Sequence, residues 1–196
     1  MSANKKIVVH LGKNKVKFEL VPHKTVYTAY DLAQTLGEKL DKIAKTLLVS
    51  VEIPTVKKSR KERQTYLVVV PATYYVDLEK VRKAVKATKA ELAPEKVMSK
   101  LGLVPGALSP FGSIRGLGVV LDKSLLKTKD ALVGAESFTE HLRMKVKDLV
   151  KLESPVLGNV GKKAGLKTQK PAKRAKGKVR PTKLAKPAKK AKKGKK

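Results

Sequence analysis

What most limits how this chain can fold is the point at which its acidic residues stop. Glu153 is the last of them, and beyond it stand 17 Lys and Arg, from Lys162 to Lys196, against no Asp or Glu. Lys, Ala, Pro and Gly dominate that stretch, and Pro171, Pro181 and Pro187 interrupt any helix. Such a segment cannot bury enough apolar surface to offset the entropy of ordering it. The expected organisation is therefore one folded domain over residues 1–154 and a disordered, Lys/Ala/Pro-rich basic tail over 155–196. About 150 residues bury roughly 70% of their unfolded surface, which suffices for a real core. Of 46 Lys and Arg in the chain, 29 fall in the body against 16 acidic residues, so the body carries +13 and the tail +17. Positive charge in both parts points to a polyanionic partner, nucleic acid before membrane, because no amphipathic anchor accompanies it.

Cysteine is absent, which excludes disulfides, thiolate metal sites and a cysteine nucleophile. The three histidines, His10, His23 and His141, are scattered, so neither a metal site nor a cofactor is expected. No apolar run approaches the ~20 residues that span a bilayer, and the first ten residues lack a signal-peptide core. The expectation is a cytoplasmic protein with no membrane contact.

Alternation over Val16 to Val21 predicts a strand. Thr28-Ala-Tyr-Asp31 opens a helix with a capping-box-like pattern, Leu32, Ala33 and Leu36 form its apolar stripe, and Gly37 ends it. Asp41 begins a short helical turn leading to Lys45. Thr46 to Ile53 and Thr65 to Val70 are β-branched runs around a basic tip, Lys57 to Arg63, and predict a long hairpin. The tip reads either as a solvated turn or as a phosphate contact. Asp77 caps a second helix with Leu78, Val81 and Val85 inward, and Pro94 suits the first turn of a third that stops at Gly102. Strands are predicted over Leu117 to Leu121, over Ala131 to Gly134 and over Leu142, Met144 and Val146, whose neighbours Arg143, Lys145 and Lys147 make a basic outer face. Asp148 is expected to cap a terminal helix. Strands and helices interleaved around a hairpin predict a single α+β domain.

Two segments stand out chemically. Lys45 lies in the apolar run Ile43 to Val49, where partial desolvation lowers an amine's pKa and strengthens its hold on an anion, though such a lysine commonly just pairs with a surface carboxylate. The stretch Gly102 to Gly112 holds three glycines and two prolines, a rigid path that presents N–H groups to an oxygen or serves as an ordinary surface turn.

Taken in order, Thr28 to Gly37, Lys45-Thr-Leu-Leu48, the hairpin ending at Val68-Val-Val-Pro71, Val76-Asp-Leu-Glu-Lys80, Gly106-Ala-Leu-Ser-Pro110-Phe-Gly112 and Val133-Gly134-Ala135 resemble the YbaK family of aminoacyl-tRNA deacylases. That family includes the editing insertion domain of bacterial prolyl-tRNA synthetase. The resemblance runs over roughly residues 15–153 and implies a mixed, largely antiparallel, β-barrel-like sheet flanked by helices. It implies hydrolysis of the ester joining a wrong amino acid to tRNA, with proline tRNA carrying Ala or Cys as the leading substrate and seryl and threonyl esters open. By the same resemblance Lys45 is needed for activity, and Thr28, Gly106, Ser109, Pro110, Gly112 and Gly134 shape the pocket around the aminoacyl ester. His141 matches a pocket histidine of the insertion domain, but Glu136 stands where that domain has asparagine; a partly buried histidine beside a strand is the other reading.

Chemically, Lys45 gripping the terminal phosphate as a cation and the loop N–H groups polarising the ester carbonyl would serve this reaction, with Lys45 as a neutral base the alternative. Ser109 could orient water, while no Ser-His-Asp order supports a covalent nucleophile. In the tail, Lys170, Lys173, Arg174, Lys176, Lys178 and Arg180 resemble the Lys-Ala-Pro tails of histone-like proteins and are candidates for non-specific nucleic-acid binding. A solubilising extension is the other reading of that tract. Eight aromatic residues in the chain give little basis for a base-stacking platform. A freestanding trans-editing deacylase thus stands against a non-catalytic RNA- or DNA-binding protein on the same fold, with a subunit docked on an aminoacyl-tRNA synthetase as a third reading.

Overall fold

The computed structural model describes residues 4–54 and 61–164. Most of the expected basic tip and all six candidate tail residues, Lys170 to Arg180, lie outside the described residues.

The chain opens with helix α1 (Lys5–Lys13), which the charge pattern hid: Asn4 caps it through its side chain, and Ile7 and Leu11, one turn apart, are fully buried. Strand β1 (Phe18–Pro22) leads to α2 (Ala29–Leu36), capped by Thr28 and closed by Gly37 as expected. A 3-10 turn at Leu40–Lys42 enters β2 (Ile43–Pro54), which pairs along its length with β3 (Lys61–Pro71) as the predicted hairpin. Next come β4 (Tyr74–Val76), α3 (Leu78–Ala84) capped by Asp77, β5 (Lys89–Leu92) and α4 (Glu95–Lys100). Beyond the glycine-rich loop lie β6 (Gly118–Asp122), β7 (Asp130–Gly134), β8 (Glu140–Lys145) and α5 (Val146–Glu153).

Two expectations at the C-terminal end are corrected. The alternation through Val146 does not extend β8: α5 already starts there, Val146 turns into the core, and Asp148 lies in the first turn, where a carboxylate favours the helix dipole, rather than at the cap. Nor does the ordered chain end at Ser154. It continues into β9 (Val156–Gly158), paired with β6, and β10 (Gly161–Lys163), paired with β4, and the compact unit extends to Ala164. The intervening Val160 is 1% exposed, so apolar burial holds this segment down despite its charged neighbours.

The main sheet runs β1-β8-β7-β2-β3-β6-β9 with β5 also on β2, and it is mostly antiparallel, with parallel joins at β2/β7, β3/β6 and β6/β9. Strand alternation sorts its side chains to two faces. Ala44, Leu48, Leu67, Val69, Val133 and Leu142 pack with Ile7, Leu11 and Leu149 of α1 and α5, and with Leu108 and Phe111 of the loop. On the opposite face Val49, Val51, Val68 and Val70 meet α3, while Ile43 and Leu132 meet Leu32 and Ala33 of α2. The fold is thus α+β with helices on both faces of a mixed sheet. Among the described residues no helix is long and apolar enough to cross a membrane.

Candidate active site

Strand register builds the site. On β2, Ile43 pairs with Leu132 and Ala44 with Val133 of β7, so the next residues, Lys45 and Gly134, come level on adjacent strands. Gly134 in turn pairs with His141 of β8, and His141 with Val21 of β1. Side chains of paired residues share a face, so Lys45 and His141 flank Gly134 on the face that also carries Ile43 and Leu132. Two strand spacings, about 10 Å, separate their backbones.

Gly134 explains how the glycine-rich loop reaches this row. A Cβ on it would lie 2.0 Å from the Leu108 carbonyl oxygen, so the loop backbone rests directly on the strand, and only glycine admits it. The Leu108–Ser109 peptide, trans like every described peptide, then sends the Ser109 N–H away from Gly134. Among the described residues no protein group accepts from the N–H of Gly106, Leu108, Ser109 or Phe111, whereas Ala107 and Gly112 are satisfied within the loop by Val104 and Pro110. The loop therefore holds several uncommitted donors.

Lys45 is half-buried, and its Nζ donates to the Tyr74 carbonyl at 2.9 Å and lies 5.5 Å from the centre of the Tyr75 ring. Burial lowers its pKa from the ordinary lysine value, while the carbonyl and the ring face both favour the ammonium form. No carboxylate pairs with it among the described residues, which separates it from the surface ion-pair reading.

The remaining sequence-expected residues divide. Gly106 lies beside Phe138, whose ring packs on Tyr27 at 5.2 Å. Pro110 is buried inside the loop, and Gly112 is a packing position, with the Leu117 carbonyl occupying the space of a side chain. Thr28 is spent as a cap: its hydroxyl accepts from the Asp31 N–H and donates to the Asp31 carboxylate. Ser109 is 1% exposed, and its hydroxyl donates to Glu136 at 2.9 Å.

That contact exposes a cluster of which the sequence signalled only Ser109 and Glu136, the latter departing from the family's asparagine. Glu136 accepts two hydrogen bonds from Arg115, at 2.6 and 2.7 Å, and one from Asn4 Nδ2 at 2.6 Å. Arg115 also donates to the Leu101 carbonyl at 3.1 Å. Glu136 sits in the left-handed region, φ 55°, a conformation costly for a non-glycine residue and sustained here by four hydrogen bonds to its carboxylate. A charge-balanced knot thereby fixes the loop to the strand end and to the cap of α1. Sequence reasoning also missed His23: its Nε2 lies 2.8 Å from His141 Nδ1, and its Nδ1 lies 2.7 Å from the Lys24 carbonyl. Burial and the neighbouring His23 push the pKa of His141 down to about 4.

A cleft of about 420 Å³ lies elsewhere, lined by Lys42, Lys127, Lys129 and Arg143.

Comparisons with known proteins bear on the family and the fold. Residues 23–152 match the family profile of the aminoacyl-tRNA editing domain. The prolyl-tRNA editing protein ProX of Acetoanaerobium sticklandii is 29% identical over 157 residues, covering 78% of this chain and 91% of ProX. Among solved structures, the hypothetical protein APE2540 superposes with a TM-score of 0.69 at 20% identity, over 81% of this chain and 100% of its own. A candidate trans-editing enzyme for prolyl tRNA synthetase gives 0.64 at 23% identity, over 81% and 96%. These two likenesses are of fold. The matched profile takes in Lys45, the Gly106–Gly112 loop, Gly134 and both histidines of the pair, and on that match the chain belongs to the aminoacyl-tRNA editing domain family and is an aminoacyl-tRNA deacylase.

Proposed function

We propose that this protein clears mischarged tRNA in trans, hydrolysing the ester of a small amino acid such as Ala or Cys on proline tRNA. The observation that carries the reading is the juxtaposition of Lys45 and Gly134 on one sheet face, with the backbone of the glycine-rich loop resting on Gly134. In this reading Lys45 acts as a cation that holds the terminal phosphate or backbone of the 3′ end, since its carbonyl and aromatic neighbours favour the charged form. The Ser109 and Leu108 N–H groups face the ester carbonyl oxygen and stabilise the negative charge that builds there as water attacks. Gly106, Phe138 and Tyr27 bound the aminoacyl side, Pro110 and Gly112 stiffen the loop, and Ser109 and Thr28 act as supports rather than as substrate contacts. The choice of proline tRNA rests on the likeness to ProX, whose name states prolyl-tRNA editing.

The basic tail adds non-specific affinity for the same RNA. Its root supports this, because Ala164 N–H bonds to Thr73 O and β10 pairs with β4, the strand whose Tyr74 carbonyl holds Lys45. A synthetase for the same tRNA is the partner from which such an enzyme would receive its substrate.

The test is release of amino acid from a panel of mischarged tRNAs by the full chain and by Lys45→Ala. Release of Ala or Cys from proline tRNA that is lost in Lys45→Ala is the expected outcome. Equal release by both proteins, or none by either across the panel, rejects the reading.

A further inference from the structure

The His23–His141 contact contains its own proton logic. A backbone carbonyl can only accept, so the 2.7 Å contact between His23 Nδ1 and the Lys24 carbonyl places a proton on Nδ1. While His23 is neutral, its Nε2 is therefore a bare acceptor, and the 2.8 Å contact must be a donation from His141 Nδ1–H. That leaves His141 Nε2, on the far side of the ring and without a protein partner among the described residues, as a lone pair beside Gly134. Protonating His23 reverses the arrangement: its Nε2–H then donates, His141 Nδ1 accepts, and the remaining proton of a neutral His141 moves to Nε2. Both rings cannot be protonated at once without two N–H groups meeting head-on.

We propose that His23 is a positioning residue that sets the His141 tautomer, so that His141 Nε2 accepts the proton of the attacking water in the deacylation argued above, on which this inference rests. Water oxygen bonds to the ester carbonyl carbon as His141 Nε2 takes one of its protons. The tetrahedral intermediate collapses by breaking the bond to the ribose oxygen, and the imidazolium returns its proton to that oxygen, leaving a free amino acid and uncharged tRNA. Two independent features favour this use of the pair. The residue paired with His141 is a glycine, so no side chain of that partner lies beside the ring, and the backbone of the glycine-rich loop takes its place. Burial and the neighbouring His23 also disfavour protonating His141, which keeps it a base at neutral pH. The other charged groups nearby are Lys45 on β2, Lys24 beside His23, Asp31 and Glu38 at the ends of α2, Glu19 on β1, and Glu140 and Arg143 on β8; Arg143 is paired with Glu19 and Glu38.

The experiment measures single-turnover deacylation of alanyl-tRNA(Pro) by the full chain between pH 5 and 8, together with ¹⁵N–¹H correlation spectra that read each histidine's tautomer. Expected is an acid-side fall in the rate constant as the histidine pair takes up a proton. The His141 proton should move from Nδ1 at pH 8 to Nε2 in the same transition. His23→Phe, which removes the acceptor, should lower the rate constant about 100-fold at saturating RNA with little change in KM. His23→Gln, whose amide oxygen accepts without titrating, should recover most of that loss and shift the acid-side fall toward lower pH. A wild-type rate in His23→Phe, an unshifted profile in His23→Gln, or a His141 proton on Nε2 at pH 8 overturns the inference. The spectra decide even for a variant that folds poorly, because they are read on the natural protein. Absence of deacylation by the natural protein across the tRNA panel instead removes the underlying functional reading.

Discussion

Replacing Glu136 with alanine removes the acceptor of the buried knot and leaves the Arg115 guanidinium, whose side chain is 16% exposed, with only the Leu101 carbonyl. Breaking such a pair by deleting one partner typically costs about 3–5 kcal/mol, because the surviving charge is left buried and uncompensated. The Ser109 hydroxyl and Asn4 amide lose their acceptor as well, although Asn4 lies at a helix cap with access to water. Arg115 retains some solvent, so the lower end, about 3 kcal/mol, is the expected loss. In a folded unit of this size that lowers Tm by roughly 6–12 °C. Urea unfolding of the full chain at neutral pH gives the free energy directly, with an unchanged m-value confirming that the denatured state is not responsible. Arg115→Ala should lose a similar amount. The double variant should lose far less than the sum, giving a coupling of at least about 2 kcal/mol. Glu136→Asn should fall between, since asparagine tolerates the left-handed backbone and still accepts from Ser109 but gives up the charge. Losses below about 1 kcal/mol in both single variants, or strict additivity, would refute the claim that the knot fixes the loop.

Three further outcomes follow from the geometry. Gly134→Ala sets a methyl group 2.0 Å from the Leu108 carbonyl oxygen, so the loop must lift; deacylation should fall at least 100-fold and Tm should drop, both measurable on one preparation. Thr46 Oγ1 is buried without a partner, so Thr46→Val should be neutral or stabilising by about 1 kcal/mol in urea unfolding, the reverse of the usual sign for a core change. His141 has a folded-state pKa of about 4 against an unfolded value near 6.5, so the unfolded chain binds the extra proton and stability is lost as pH falls from 6.5 to 4. A slope of about 1.4 kcal/mol per pH unit attributable to this group should vanish in His141→Gln.

Legibility in the sequence tracked how local each decision is. Thr28 and Asp77 cap helices through contacts three residues away, and the β2–β3 hairpin pairs neighbouring runs, so caps and β-branched patterns disclose them. Helix α1 was just as local, with Asn4 before Ile7 and Leu11, but its three lysines and short apolar stripe masked the spacing. At the other end the run of lysines drew the domain boundary ten residues early, because Val160 alone carries the burial that holds β9 and β10. Lys45 and the loop could be singled out from residue type and spacing, yet their meeting place could not: it depends on a parallel join between β2 and β7, eighty-odd residues apart in the chain.

The amino-acid order alone thus determined the α+β class, the basic character of both parts, the main hairpin and the family of the body, since these rest on composition, short-range periodicity and motifs in sequence order. Only the tertiary structure decided the chemistry of the site's edges. His23 and His141 lie 118 residues apart and Asn4 and Glu136 lie 132 apart, and each pair meets because sheet register places one specific residue opposite another. A register shift of a single residue would turn His141 to the other face. No local propensity encodes that choice; it is made by the packing of two apolar faces at once, which is a property of the whole fold.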